Sequence, residues 1–266
     1  MDDREVARHW DENAPDWIEA VRAGYDVSRE YVNNPVFFEM LGDIRGRRVL
    51  DLGCGEGRNT RLFADRGAKV VAIDTSEALL AAARAEEARE PRGIDYRLAS
   101  GSDLAIFPDT SFDVVLSTMA PMDLPDYAGC VREAARVLKP DGIFQFSITH
   151  PVAQTRLWKW VPDDEGRRLG VIIGNYFSLE PSSPEQDVSQ WFFGAAPPEL
   201  KARARPFRIP SFFRTLSEYF NTLVRAGFIV ERIEEPYASP EALAKCPSLY
   251  DTRRVPYFIM FRCRKA

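Results

Sequence analysis

The chain has 266 residues, enough for one large domain or one domain carrying an insertion. With 45% apolar and 28% charged residues it has an ordinary globular composition and can bury a sizeable core. A net charge of −5 with both signs mixed argues against a grip on nucleic-acid phosphates, and no apolar run approaches the ~18 residues of a membrane span.

Residues 1–44 read as helical, with Trp10, Trp17, Tyr25, Tyr31, Phe37 and Phe38 spread through polar sequence. Arg47–Gly53 is a short apolar run ending in glycine, the pattern of a buried strand. Asn59–Arg66 suits a helix and Lys69–Asp74 a second strand. Thr75 or Ser76 can cap the Ala-rich helix that runs through Arg89. Asp95–Ala99 and Phe112–Thr118 read as strands. Tyr127–Leu138 is an amphipathic helix stopped by the turn signal Pro140–Gly142, and Ile143–Ile148 is the next strand. Near-continuous apolar strands alternating with helices imply a doubly wound, mostly parallel α/β sheet covered on both faces. Residues 150–213 break the rhythm, with strand-like pieces at Gly170–Phe177 and Gln190–Phe193, and read as an inserted cap over the sheet's ligand edge. Arg214–Ala226 is a helix closed by Gly227, and the strands Phe228–Ile233 and Val255–Arg262 complete the sheet with an antiparallel member.

The scattered Cys54, Cys130, Cys246 and Cys263 form no CxxC pair, so they read as reduced thiols. The charged N-terminus is no signal peptide, and the expected compartment is the cytoplasm. No His–carboxylate cluster suggests a metal.

The sharpest local signal is Val49-Leu50-Asp51-Leu52-Gly53-Cys54-Gly55-Glu56-Gly57, a strand entering a loop with glycine at every second position and then a helix. Such glycines let backbone approach a ligand, although a plain tight turn would look the same. Asp74 ends the next strand, where a carboxylate can hold both hydroxyls of a ribose or merely cap a helix. These features join Phe107-Pro108-Asp109-Thr110-Ser111-Phe112-Asp113-Val114-Val115 and Arg136-Val137-Leu138-Lys139-Pro140-Asp141-Gly142. As an ordered set they resemble the small-molecule class I S-adenosylmethionine-dependent methyltransferases of the type 11 kind.

The resemblance implies a Rossmann-like, seven-stranded sheet, with 1–44 as a helical lid, 45–149 and 214–266 as the core, and 150–213 as the cap. It implies S-adenosylmethionine as donor, S-adenosylhomocysteine as product and a small-molecule acceptor; the charge and hydropathy above argue against a nucleic-acid or membrane partner, and monomer and homodimer both stay open. Gly53, Cys54, Gly55 and Gly57 would lie along the methionine moiety, Asp51 would hold its amino end through the loop or a water, and Asp74 with Thr75 would hold the ribose. Gly101-Ser102-Asp103 would pack beside the adenine. Many relatives place an aspartate at the position of Gly101, so either Asp103 substitutes or backbone amides do. Thr118, Met119 and Ala120 would face the sulfonium or the acceptor.

Positioning alone supplies about 7–11 kcal/mol to such an in-line displacement, against about 3–5 kcal/mol from a general base. A base is therefore optional. His150, directly after the fifth strand, is the candidate base and acceptor contact; its alternative is a structural hydrogen bond. His9 reads as a solvent-facing helical residue. Tyr25, Met119 and Trp191 are the candidate acceptor contacts, and Arg29, Arg156 and Arg214 could meet an acidic acceptor. Two competitors remain: a NAD(P)-dependent oxidoreductase, which needs G-x-G-x-x-G spacing that is absent, and a cofactor-binding module without catalysis.

Overall fold

Residues 1–155, 157–177 and 188–266 are described in a computed structural model of the chain. The first helix, α1 (Asp3–Arg22), starts at a capping box in which Asp2 accepts from the Glu5 amide and the Glu5 carboxylate accepts from the Asp2 amide. Its buried residues, including Val6, Asn13, Ala14, Trp17 and Val21, recur at helical spacing and form one stripe. A turn of π-helix at Arg29–Asn33 leads into α2 (Asn34–Leu41). Strands and helices then alternate: β1 (Arg48–Leu52), α3 (Arg58–Asp65), β2 (Lys69–Asp74), α4 (Glu77–Arg89), β3 (Asp95–Leu98), β4 (Phe112–Thr118), α5 (Tyr127–Val137) and β5 (Leu138–Thr149).

The segment 150–213 holds the hairpin β6 (Leu157–Pro162) and β7 (Arg168–Gly174), then β8 (Val188–Trp191), α6 (Pro198–Arg203) and β9 (Phe207–Pro210), with β8 antiparallel to β9. The chain closes with α7 (Leu216–Arg225), β10 (Phe228–Glu234), α8 (Pro240–Lys245) and β11 (Phe258–Lys265).

Seven strands make one sheet in the order β10-β11-β5-β4-β1-β2-β3, and β11 alone runs antiparallel to its neighbours. Alternate residues of a strand face opposite sides, and here both sides are buried. Leu50 and Leu52 face α5 and α7 through Val131, Ala134 and Leu223, whereas Val49 faces α2, α3 and α4 through Phe37, Phe63 and Leu80. Each such buried apolar side chain contributes about 1.5–3 kcal/mol, which explains why these strands read as unbroken apolar runs. The doubly wound fold expected from the sequence is the fold observed.

Several boundaries differ: the pieces expected at Gly170–Phe177 and Gln190–Phe193 are strands at Arg168–Gly174 and Val188–Trp191, and two further differences have a clear cause. Pro140–Gly142 does not end a helix before a separate strand; β5 already pairs at Leu138, and the register jumps between Phe112–Leu138 and Val114–Ile143 with Asp141 at φ +58°. The proline-glycine signal marks a bulge rather than a break. β11 begins at Phe258, not Val255, because a 3₁₀ turn at Pro247–Arg253 precedes it and Pro256 has no amide to give the ladder.

The N-terminal helix and the 150–213 segment share a third apolar cluster. Trp17 packs edge-on to Trp10, Trp191 and Phe207 with ring centroids 5.0–5.9 Å apart, above Leu79 of α4. The Asn13 side chain also pairs with the Arg208 backbone through two 3.0 Å hydrogen bonds, as a strand would. Among the described residues no helix is long and apolar enough to cross a membrane.

Candidate active site

The loop after β1 is built onto β2. The Gly53 and Cys54 amides both donate to the Ile73 carbonyl at 2.9 Å, and the Gly55 amide donates to Asp74 Oδ2 at 2.8 Å. Gly53 has φ +71°, and a Cβ there would sit 2.4 Å from Ala120 Cβ, so the turn and its contact with the segment after β4 demand glycine. Asp74 Oδ1 accepts from the Ser76 amide at 2.9 Å, and the Ser76 hydroxyl in turn caps α4. Burial holds the Asp74 carboxyl above its usual range, opposed by these backbone donors.

Asp51 lies one layer deeper. Its Oδ2 accepts from Thr60 Oγ1 at 2.6 Å, its Oδ1 has no partner, and burial raises its pKa to about 7. Burial, then Asp74 and Asp51, push the Cys54 thiol well up, so it remains protonated rather than a nucleophile.

Two concavities meet at the carboxyl edge of the sheet, where ligands of open α/β sheets bind. A narrow cleft is walled by Gly53, Cys54, Gly55, Asp74, Thr75, Gly101, Thr118 and Met119, with Val6, Trp10 and Trp17 of α1 across from them. A larger cavity of about 1060 Å³ lies under α1 and the 150–213 segment, walled by Tyr25, Trp191, Phe192, Phe193, Phe212, Phe213 and Tyr257. Met119 stands in both walls. It sits at φ +57°, a strained conformation for a side chain of this kind, and accepts from Asn33 Nδ2 through its sulfur at 3.5 Å.

The structure thus brings together most of the residues expected at the cleft, and both expected aromatics, Tyr25 and Trp191, line the larger cavity. Arg29 and Arg214 line it too, while Arg156 lies outside the described residues. Ser102 and Asp103 do not belong to the cleft. The Ser102 hydroxyl donates to Asp3 Oδ2 at 3.0 Å, and Asp103 is exposed, accepting from the Ala105 amide. Asp51 does not reach the cleft surface.

His150 lies apart from these residues. It lines neither concavity and is only 5% exposed. Its Nδ1 accepts from the Val152 amide at 3.1 Å, so the ring proton sits on Nε2, which donates to Glu235 Oε1 at 3.0 Å. Burial lowers its pKa, against the pull of Glu235. With both nitrogens spent on structure, the imidazole has no free site for a substrate proton.

Sequence reasoning passed over Asp123, which is buried in both walls, and Asn59, whose Nδ2 donates to Thr118 Oγ1 at 3.2 Å. Its place just past β4 is the one signal that pointed to Asp123.

A glycine loop leaving β1, an acidic residue ending β2 and this strand order define a Rossmann-like nucleoside-binding enzyme fold. A family profile described as "Methyltransferase domain" matches residues 50–146. The chain is similar to a solved S-adenosylmethionine-dependent methyltransferase from Mesorhizobium loti, at 30% identity over 87% of this chain and 96% of that one, with a TM-score of 0.68. It is 36% identical over 135 residues to a ubiquinone biosynthesis O-methyltransferase of Xanthomonas oryzae, covering 51% of this chain and 53% of that protein. It is 41% identical over 114 residues to a demethylmenaquinone methyltransferase of Tropheryma whipplei, covering 42% and 46%. The chain therefore spans about half the length of these two named relatives. It belongs to the S-adenosylmethionine-dependent methyltransferases, with the class I fold, and S-adenosylmethionine is its methyl donor. The oxidoreductase and non-catalytic readings are set aside by these matches.

Proposed function

We propose that the enzyme methylates a small, flat, largely apolar acceptor held in the aromatic cavity, while the donor lies in the narrow cleft. The observation that carries this reading is Met119, which stands in the walls of both concavities directly after β4. A cavity of about 1060 Å³ is slightly above the roughly 300–1,000 Å³ of small-molecule sites, and its aromatic walls suit a ring system. The two named relatives are methyltransferases of ubiquinone biosynthesis and of demethylmenaquinone, which is consistent with a ring-bearing acceptor.

The residues of the cleft fit the donor. Gly55 has open space where a Cβ would stand, so backbone can lie along the methionine portion beside Gly53 and Cys54. Each Asp74 oxygen has accepted one backbone amide and keeps capacity for a ribose hydroxyl, with Thr75 beside it. Gly101, Ala99 and Leu79 wall the part of the cleft left for the adenine. The donor supplies a methyl group on a positively charged sulfur. Asp74 and Asp123 in the cleft wall favour a cation, and Trp10 and Trp17 add aromatic surface, with the Arg29 guanidinium already 5.8 Å over the Trp17 ring. The rest of the work is alignment: Thr118 and Met119 set the approach, and α1 with the cap forms walls of the acceptor cavity.

Incubation with methyl-tritiated S-adenosylmethionine and a metabolite extract tests the proposal. Label is expected in a low-mass product that partitions into organic solvent. Label confined to protein or nucleic acid would overturn it.

A further inference from the structure

Five residues stand in the walls of both concavities: Trp10, Trp17, Arg29, Met119 and Asp123. A methyl group leaving the cleft for the cavity passes between them, so a charge in this shared wall acts on the transfer itself. Two of the five are ionisable. Arg29 is matched, its Nε 2.9 Å from Asp26 Oδ2. Asp123 is 7% exposed, and among the described residues none donates a hydrogen bond to its carboxylate. Arg214, on the loop before α7, acts on it as the opposing charge; its Nη2 is given to the Leu124 and Pro125 carbonyls at 2.5 and 2.9 Å, while its buried Nη1 has no hydrogen-bond partner among the described residues. From β2, Asp74 contributes like charge. Burial pushes the Asp123 carboxyl well above the ordinary range, with Arg214 opposing and Asp74 reinforcing the shift.

Building on the two-cavity reading above, we propose that Asp123 receives the acceptor's proton during methyl transfer, and that its ionisation follows the charge on the donor sulfur. A cationic sulfur in the cleft stabilises the Asp123 carboxylate. As the sulfur–methyl bond breaks, its electron pair stays on sulfur, which becomes a neutral thioether. The methyl forms its new bond to an oxygen or nitrogen of the acceptor, and the proton displaced from that atom passes to Asp123. The pair of sulfur and carboxylate carries no net charge before or after the step. The acceptor class is thereby narrowed to molecules presenting an O–H or N–H.

Donor binding alone tests this without the acceptor. Calorimetry near pH 7 in buffers of different ionisation enthalpy counts the protons released. Wild-type enzyme is expected to release more protons on binding S-adenosylmethionine than on binding S-adenosylhomocysteine, by up to one. Asp123→Asn should remove that excess, its retained binding of S-adenosylhomocysteine showing that it is folded; Asp123→Ala is read the same way if the Asn variant does not fold. The same excess in the variant as in wild type, or no excess in wild type, overturns the inference while leaving the cleft reading intact. Wild-type enzyme that binds neither compound would remove the cleft reading, and this inference with it.

Discussion

The Gly55 amide donates to the Asp74 carboxylate at 2.8 Å, which locks the loop after β1 to the end of β2. The carboxylate's other oxygen holds the Ser76 amide at the start of α4. One buried side chain thus fixes the shape of the cleft from two sides and still presents itself to it.

The glycine loop should not tolerate a methyl group at Gly53. Its φ of +71° costs an L-residue about 1–2 kcal/mol, and the added Cβ would stand 2.4 Å from Ala120 Cβ. Gly53→Ala is expected to lower Tm and weaken S-adenosylmethionine binding at least tenfold. Calorimetry showing wild-type affinity would mean that Ala120 gives way and the contact does not shape the cleft.

Asp51 should make the fold less stable as pH rises. An unfolded carboxyl titrates near 3.8, whereas Asp51 in the folded chain holds its proton to about 7. Between these values the folded state binds the extra proton, so stability falls with rising pH by up to roughly 1.4 kcal/mol per unit and is lowest above 7. Asp51→Asn removes this titration and keeps an oxygen for the Thr60 hydroxyl. The variant should gain on wild type in Tm between pH 5 and pH 8, and a difference that stays flat across that range contradicts the assignment. Asp74 and Asp123, also raised, act in the same direction and are present in both proteins.

His150 is predicted to matter for stability rather than chemistry. His150→Ala loses the cap on Val152 and the bond to Glu235, a cost of about 1–2 kcal/mol. Tm should drop by several degrees while methyl transfer at low temperature stays near wild type. A hundredfold loss of turnover in a folded variant would restore the base.

The joint between α1 and the 150–213 segment depends on Trp17. Trp17→Ala empties the centre of the cluster that joins α1 to β8 and β9, at about 3–5 kcal/mol. Proteolytic cleavage within 150–213 should accelerate, and an unchanged cleavage rate would show the two segments to be held by something else.

The parts of this site that follow a period or a motif are legible in the sequence. Lys69–Asp74 and Phe112–Thr118 are bounded to the residue because both faces of each strand are buried and the apolar runs are continuous. Gly53, Gly55 and Asp74 carry their own geometry. Past the strand ends the period is lost. Thr149 lines the cavity but its neighbour His150 turns toward Glu235, and no sequence pattern says which of two adjacent residues faces a ligand. Ser102 and Asp103 fail for the same reason, since a turn's dihedral angles decide what it presents. Asp123 lies beyond Met119, whose left-handed backbone redirects the chain and leaves no mark in composition.

The most direct test of the whole account is the affinity of Asp74→Ala for S-adenosylmethionine and S-adenosylhomocysteine, measured by calorimetry beside wild type. Wild type should bind each at a single site, and the variant should lose at least tenfold for both, because the ribose contact is common to them. Equal affinities for wild type and a folded variant would contradict the assignment of the cleft to the donor.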